Sequence, residues 1–294
     1  MSGGSVSGFG IALGGGGGRA FAHLGVLSRL AEAGLRPSCV SGSSMGGMLG
    51  ALYAARPDAP EFFPETLAYF RSSILFGRSR PARSDGLHSR SSFFGNLARK
   101  AATAGVVAAV SFRLGLKSFN PVDRAIDYFF GDGRIFENLL LPFGVNAIDL
   151  TGGKVEEFVS GPLAPALKAG VAIGLVFAPF TLDGRQYADA APVSPLPVGL
   201  CQRLGAEKVL AVDISAPLEK GLKCGSGFDV ARRLMSVQSA ILTAAEAKTA
   251  DYCLEIDVSD IFWGDFSRVD EAFDRGRRAT EEALSGIRKA LCLT

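Results

Sequence analysis

With 294 residues, 48% of them hydrophobic and a formal net charge of only +2, the chain can bury a large core and lacks the polar, highly charged make-up of a disordered protein. No run of about 18 uninterrupted apolar residues occurs, which argues against a membrane-spanning helix, and Met1 to Phe9 lack the basic-then-apolar pattern of a secretory signal. Five scattered cysteines, Cys39, Cys201, Cys224, Cys253 and Cys292, show neither paired nor metal-ligand spacing, which favours a reducing, cytoplasmic compartment.

In chain order, the apolar strand Phe9 to Leu13 runs into Gly14-Gly15-Gly16-Gly17-Gly18-Arg19-Ala20, after which Phe21, Leu24, Leu27 and Leu30 recur at the period of a helix. Glycines at a helix N-terminus leave backbone N–H groups bare, so this loop can hold a phosphate or the oxyanion of an acyl-transfer intermediate. It can also be only a tight helix-strand junction. A P-loop requires Gly-Lys-Ser/Thr where Arg19-Ala20 stands, and a dinucleotide fold requires an acid where Cys39-Val40-Ser41-Gly42 has none. The second predicted strand, Ser38 to Ser41, leads into Gly42-Ser43-Ser44-Met45-Gly46 and a helical stretch, Met48 to Ala55. Gly-x-Ser-x-Gly on a strand-to-helix turn is the pattern of a nucleophile elbow, which would display Ser44. A nucleophile that opens the very next turn favours an oxyanion role for the loop, with Gly15, Gly16, Gly17, Gly18 and Arg19 as its candidates.

From Arg71 to Ser118 nine basic residues face one acid, Asp85, giving +8, and leave the remainder of the chain at −6. Phe93, Phe94, Phe112 and the apolar run Ala101 to Val110 are interleaved with these charges. The combination suits peripheral contact with an anionic membrane, and equally a solvated loop plus a buried helix. No nucleic-acid-binding motif accompanies it.

Further strands are predicted at Gly144 to Asp149, Val155 to Val159, Val209 to Ile214 and Tyr252 to Ile256, with Asp149 and Asp213 as capping residues at two strand ends. Strands alternating with helical patterns imply an α/β fold: a mainly parallel sheet between layers of helices, formed by one domain over residues 1–294 with an insertion at about 71–118. Asp183-Gly184 marks a hairpin turn, and the strand after it ends at Asp189 among alanines and a proline. An acid there is either a turn residue or a poorly solvated carboxylate with raised basicity. Helices with an apolar, buried face are expected over Phe228 to Ala250, carrying Val230, Leu234, Val237, Ile241 and Ala244, and over Val269 to Leu291.

A serine nucleophile needs a base, and the chain has only His23 and His88. No histidine follows position 88, so the order of an α/β-hydrolase triad is absent. His23, inside the first helix, reads as a packed or capping residue and His88 as solvated, which leaves a carboxylate to serve Ser44.

Three landmarks in order make the chain resemble the patatin-like phospholipases, particularly bacterial members similar to the neuropathy target esterase catalytic domain. They are Gly15-Gly16-Gly17-Gly18-Arg19 followed by Ala22-His23-Leu24-Gly25-Val26-Leu27, the Gly42 to Gly46 elbow, and Asp189 ahead of Pro195-Leu196-Pro197-Val198. The resemblance implies a three-layer patatin-like fold, a Ser44–Asp189 dyad without histidine, an oxyanion hole from the Gly-rich loop, and hydrolysis of lipid acyl esters without metal or cofactor. Departures from the family pattern are Arg19-Ala20 for Arg-Gly, Asp189-Ala190-Ala191 for Asp-Gly-Gly or Asp-Gly-Ala, and Ala169 to Gly174, which lacks the usual serine and proline. If the family's glycines sit at positive φ, alanine costs roughly 1 kcal/mol and tilts the dyad. The alternative expectation is then a patatin-fold lipid-binding module with impaired catalysis.

Overall fold

A computed structural model describes residues 8–72, 118–174, 176–218 and 220–293. The basic segment at about 71–118 falls outside the described residues except at its two ends, and His88 falls outside them with it.

Eight strands form one sheet: β1 (Phe9–Leu13), β2 (Cys39–Ser43), β3 (Phe143–Asp149), β4 (Lys154–Phe158), β5 (Phe180–Leu182), β6 (Arg185–Asp189), β7 (Lys208–Asp213) and β8 (Tyr252–Glu255). Their order is β5-β6-β3-β2-β1-β7-β8, with β4 paired to β3 off that path. Pairing is parallel from β3 through β2, β1 and β7 to β8 and antiparallel for β4, β5 and β6. Every residue of β1 and β2 is buried, as a parallel strand covered on both faces must be.

Alternation along the strands sorts two cores. Ile11, Leu13, Val40, Leu210 and Val212 project into the larger one, beneath α1 (Phe21–Glu32), α2 (Ser44–Ala55) and α8 (Val269–Ala290). Ala12, Cys39, Val209 and Ala211 project to the other face, beneath α6 (Val198–Arg203) and the C-terminal end of α7 (Gly227–Ala247). The remaining described α-helices are α3 (Phe62–Ser72), α4 (Asn120–Phe130) and α5 (Leu163–Gly170). The expected α/β layering is therefore present, and Asp183 and Gly184, both at positive φ, make the anticipated hairpin between β5 and β6. Asp149 accepts from the Thr151 and Gly152 N–H groups and Asp213 from that of Ser215, so both act as caps. Among the described residues no helix is long and apolar enough to cross a membrane.

One expectation fails. The apolar stripe of α7 is not its buried face: Leu234 and Ile241 are 64% and 63% exposed, with Val230 also exposed, and Thr243 is the helix's one buried residue. The inward side is polar because the neighbouring segment 191–196 presents main-chain groups that need partners. Ser239 Oγ donates to Ala191 O at 3.0 Å, and the Glu246 carboxylate accepts from Ser194 Oγ and the Leu196 N–H at 2.9 and 2.8 Å.

α1 and α8 cross at touching distance through Gly25 and Gly276. A Cβ on Gly25 would stand 2.0 Å from Phe273 O, and one on Gly276 would stand 2.0 Å from Ala22 O. Backbone cannot yield there as a flexible side chain could. Gly276→Ala is expected to cost about 1–3 kcal/mol in urea unfolding, whereas Gly227→Ala, in open space at the start of α7, should stay within about 0.5 kcal/mol of wild type. Equal effects of the two would refute the close crossing.

Candidate active site

The register on β3 brings the two candidate residues together. β2 ends at Ser43, opposite Asn146, and β6 ends at Asp189, opposite Ala147, the next residue of β3. β4 pairs with the same stretch of β3, Val145 to Asp149, so it holds the other edge, and β2 and β6 meet end to end on this one. Ser44 follows directly and Asp189 closes β6.

Ser44 has φ 53°, the left-handed conformation of a sharp strand-to-helix turn. The flanking glycines are demanded by space. A Cβ on Gly42 would stand 2.5 Å from the Gly47 backbone, and one on Gly46 would stand 2.5 Å from Gly14 O. Ser44 Oγ donates to Asp189 Oδ2 at 2.5 Å, while the Ala191 N–H donates to Oδ1 at 2.9 Å. The two side chains are buried, and desolvation pushes the Asp189 carboxyl up to about 6 against the pull of these two hydrogen bonds.

His23 is not hydrogen-bonded to Ser44. Its Nε2–H donates to Gly14 O at 2.8 Å, and burial lowers its pKa to about 4, so a neutral, packed imidazole pins the start of the Gly-rich loop. The glycines of that loop are not equivalent. The Gly14, Gly15 and Gly18 N–H groups donate to Val212 O, Pro195 O and Trp263 O at 3.1, 3.0 and 2.7 Å. Among the described residues no partner is recorded for the N–H groups of Gly16 and Gly17. Gly17 has φ +57°, and its Cβ would stand 2.2 Å from Trp263 O, so only glycine fits. Arg19 Nε donates to Ile261 O at 2.6 Å, which commits the guanidinium to the main chain of the loop before α8.

Beside Ser44 opens a pocket lined by apolar groups that include Met45, Met48, Phe70, Val122, Phe177 and Trp263. Its walls suit an acyl chain or another apolar group. None of the three alanines that stand in place of the family's glycines lies at positive φ. Ser44, Asp183 and Cys292 are the non-glycine residues at positive φ among those described, so Ala20, Ala190 and Ala191 adopt conformations open to any residue.

Sequence reasoning missed three supports. Asn146, on β3, donates through Nδ2 to Ser194 O at 2.9 Å. The Ala172 carbonyl accepts from the Asp189 N–H at 3.0 Å. Glu246, from the inward stripe of α7, clamps the segment beyond Asp189. None stands in a recognisable motif, and only the fold assembles them.

A family model described as patatin-like phospholipase matches residues 11–201. The lysophospholipase NTE1 of Mycosarcoma maydis is 26% identical over 305 residues, covering 94% of this chain and 15% of that protein. An uncharacterized NTE family protein of Mycobacterium tuberculosis is 30% identical over 207 residues, covering 70% of this chain and 48% of its own length. The chain thus spans less than half the length of either relative. Among solved structures, VipD of Legionella pneumophila aligns over 95% of this chain and 67% of its own, with a TM-score of 0.48 and 11% identity.

The Asp189 carboxyl gives a stability test. With its folded pKa near 6, above the ordinary value of 3.8, the native state holds the proton more tightly. Its favourable contribution is therefore complete below about pH 4 and is lost as pH rises through 6, a difference of roughly 3 kcal/mol. Asp189→Asn removes this loss, so the variant should gain stability relative to wild type between pH 4 and pH 8 in urea titrations. A stability difference that does not change with pH, or that moves in favour of wild type as pH rises, would refute the raised pKa.

Proposed function

We propose, given that this chain belongs to the patatin-like phospholipase family, that it hydrolyses lipid or other acyl esters, in the manner of a phospholipase A or a lysophospholipase, with Ser44 and Asp189 as its catalytic dyad. The observation that carries the proposal is the 2.5 Å hydrogen bond from Ser44 Oγ to a buried carboxylate whose pKa lies near 6. Above pH 6 that carboxylate is ionised and more basic than an exposed aspartate, which suits it to accept a hydroxyl proton.

In the first step Ser44 Oγ forms a bond to the ester carbonyl carbon as its proton passes to Asp189 Oδ2. The negative charge on the carbonyl oxygen would be met by the N–H groups of Gly16 and Gly17, which have no partner among the described residues, while Gly15, Gly18, Arg19 and His23 hold the loop in shape. Collapse of the tetrahedral intermediate breaks the bond to the alcohol, which leaves with the proton from Asp189. Water then attacks the acyl-serine with Asp189 again as base, and the acid is released. The apolar cavity would seat the acyl chain. That Ala190 and Ala191 do not lie at positive φ supports the catalytic reading over that of a catalytically impaired binding module.

Ser44→Ala should abolish both fluorophosphonate labelling and turnover of a short p-nitrophenyl ester, and Asp189→Asn should lower kcat by roughly 10²–10⁴. His23→Gln, which disturbs only the loop's support, should lose far less. The wild-type kcat/KM should climb with pH along a limb centred near 6, where Asp189 ionises. Equal turnover by Ser44→Ala, or a limb absent from the profile of a folded, active enzyme, would sink the dyad.

A further inference from the structure

The helix α7 is inverted: its hydrogen-bonding stripe, Ser239, Thr243 and Glu246, faces the protein, and its apolar stripe, Val230, Leu234 and Ile241, faces outward. Surface helices of soluble proteins carry the opposite arrangement. Met235 and, just ahead of the helix, Leu222 add further exposed apolar surface.

Charge identifies what covers this face. From Glu219 to Lys248 the chain has five basic residues and three acids; of the acids, Glu246 is turned inward onto Ser194 Oγ and the Leu196 N–H, and Asp229 is spent on the start of α7, accepting from Ser226 Oγ at 2.9 Å and from the Gly225 N–H at 3.2 Å. Lys220, Lys223 and Arg232 are exposed and form no ion pair with any described residue. A second copy seated on the same face would set like charges against each other, whereas an anionic surface would be attracted.

Topology fixes where the face lies. The loop carrying Lys220, Leu222 and Lys223, and then the N-terminal half of α7, follow the C-terminal end of β7, and the loop carrying the exposed Phe262 follows that of β8. Both strands run parallel to β2, whose C-terminal end carries Ser44, so these groups stand at the same edge of the sheet as the dyad.

We propose that the outward face of α7, with the basic loop before it, is the surface by which this protein docks on anionic lipid bilayers. The inference rests on the lipid-ester reading of the site for its purpose, but its test does not depend on turnover. Full-length Ser44→Ala protein, which leaves vesicles intact, is co-sedimented with phosphatidylcholine vesicles and with phosphatidylglycerol-containing vesicles at low and high salt.

Binding is expected to the anionic vesicles only and to weaken as salt rises. Lys220→Gln, Lys223→Gln and Arg232→Gln together should weaken it by on the order of a hundredfold, and Leu234→Glu with Ile241→Glu should abolish it. In the Ser44-intact background the same changes should leave turnover of a soluble short ester unchanged, which also reports that the variants are folded. Vesicle binding unaffected by both sets of changes overturns the proposal. So does absence of binding, including the case in which size-exclusion chromatography finds a dimer that Leu234→Glu with Ile241→Glu splits, since the face would then join two copies. If Ser44-intact protein lacks esterase activity while binding keeps this pattern, the docking stands and the hydrolase reading falls.

Discussion

The molecule depends on a single edge of β3, shared end to end by a parallel strand and an antiparallel one. Because β2 stops opposite Asn146 and β6 stops opposite Ala147, two chain ends separated by 145 residues in sequence deliver Ser44 and Asp189 to adjoining places. Most of what surrounds them serves to hold that junction. Glycines at 42 and 46 let the elbow approach the backbone of α2 and of the Gly-rich loop, and the hairpin at Asp183-Gly184 sets where β6 begins. Asn146 and Glu246 secure the chain after Asp189. A slip of one residue on β3 would turn the carboxylate to the opposite face of the sheet.

The electrostatics of the junction are those of exclusion from water. Asp189 is held by two donors, yet desolvation outweighs them and its basicity rises. His23, the residue a general reading of serine chemistry would recruit, is buried in a setting that keeps it uncharged and is occupied with a backbone carbonyl. Two hydrogen-bonding environments a few residues apart in space thus divide the labour, one shaping a loop and the other poised over a hydroxyl.

Features encoded locally were legible in the sequence. The elbow, the Gly-rich turn, the Asp183-Gly184 hairpin and the strand ending at Asp189 each depend on a handful of adjacent residues whose conformational limits can be stated in advance. What depends on the partner was not. The periodicity of α7 was correct as a period, but which stripe faces inward was decided by unsatisfied main-chain groups at 191–196 that no pattern within the helix reveals. Sequence likewise could not separate Gly16 and Gly17 from Gly15 and Gly18, since the difference lies in acceptors supplied by Pro195 and Trp263. Cys39 and Cys201, scattered in sequence, prove to lie with their Sγ atoms 3.8 Å apart beneath β1.

The dependence of the Gly-rich loop on Ser259 to Asp265 bears on how this chain can be cut. The region matched by the family model ends at residue 201, yet Gly18 donates to Trp263, Arg19 to Ile261, and Glu246 clamps the segment beyond Asp189. A fragment spanning only the matched region would carry both dyad residues and lose the carbonyls that moor the loop opposite them, besides exposing the apolar side of α1 that α8 covers. The last third of the chain, poorest in motifs, thus supplies groups that hold the Gly-rich loop and the segment beyond Asp189 in place.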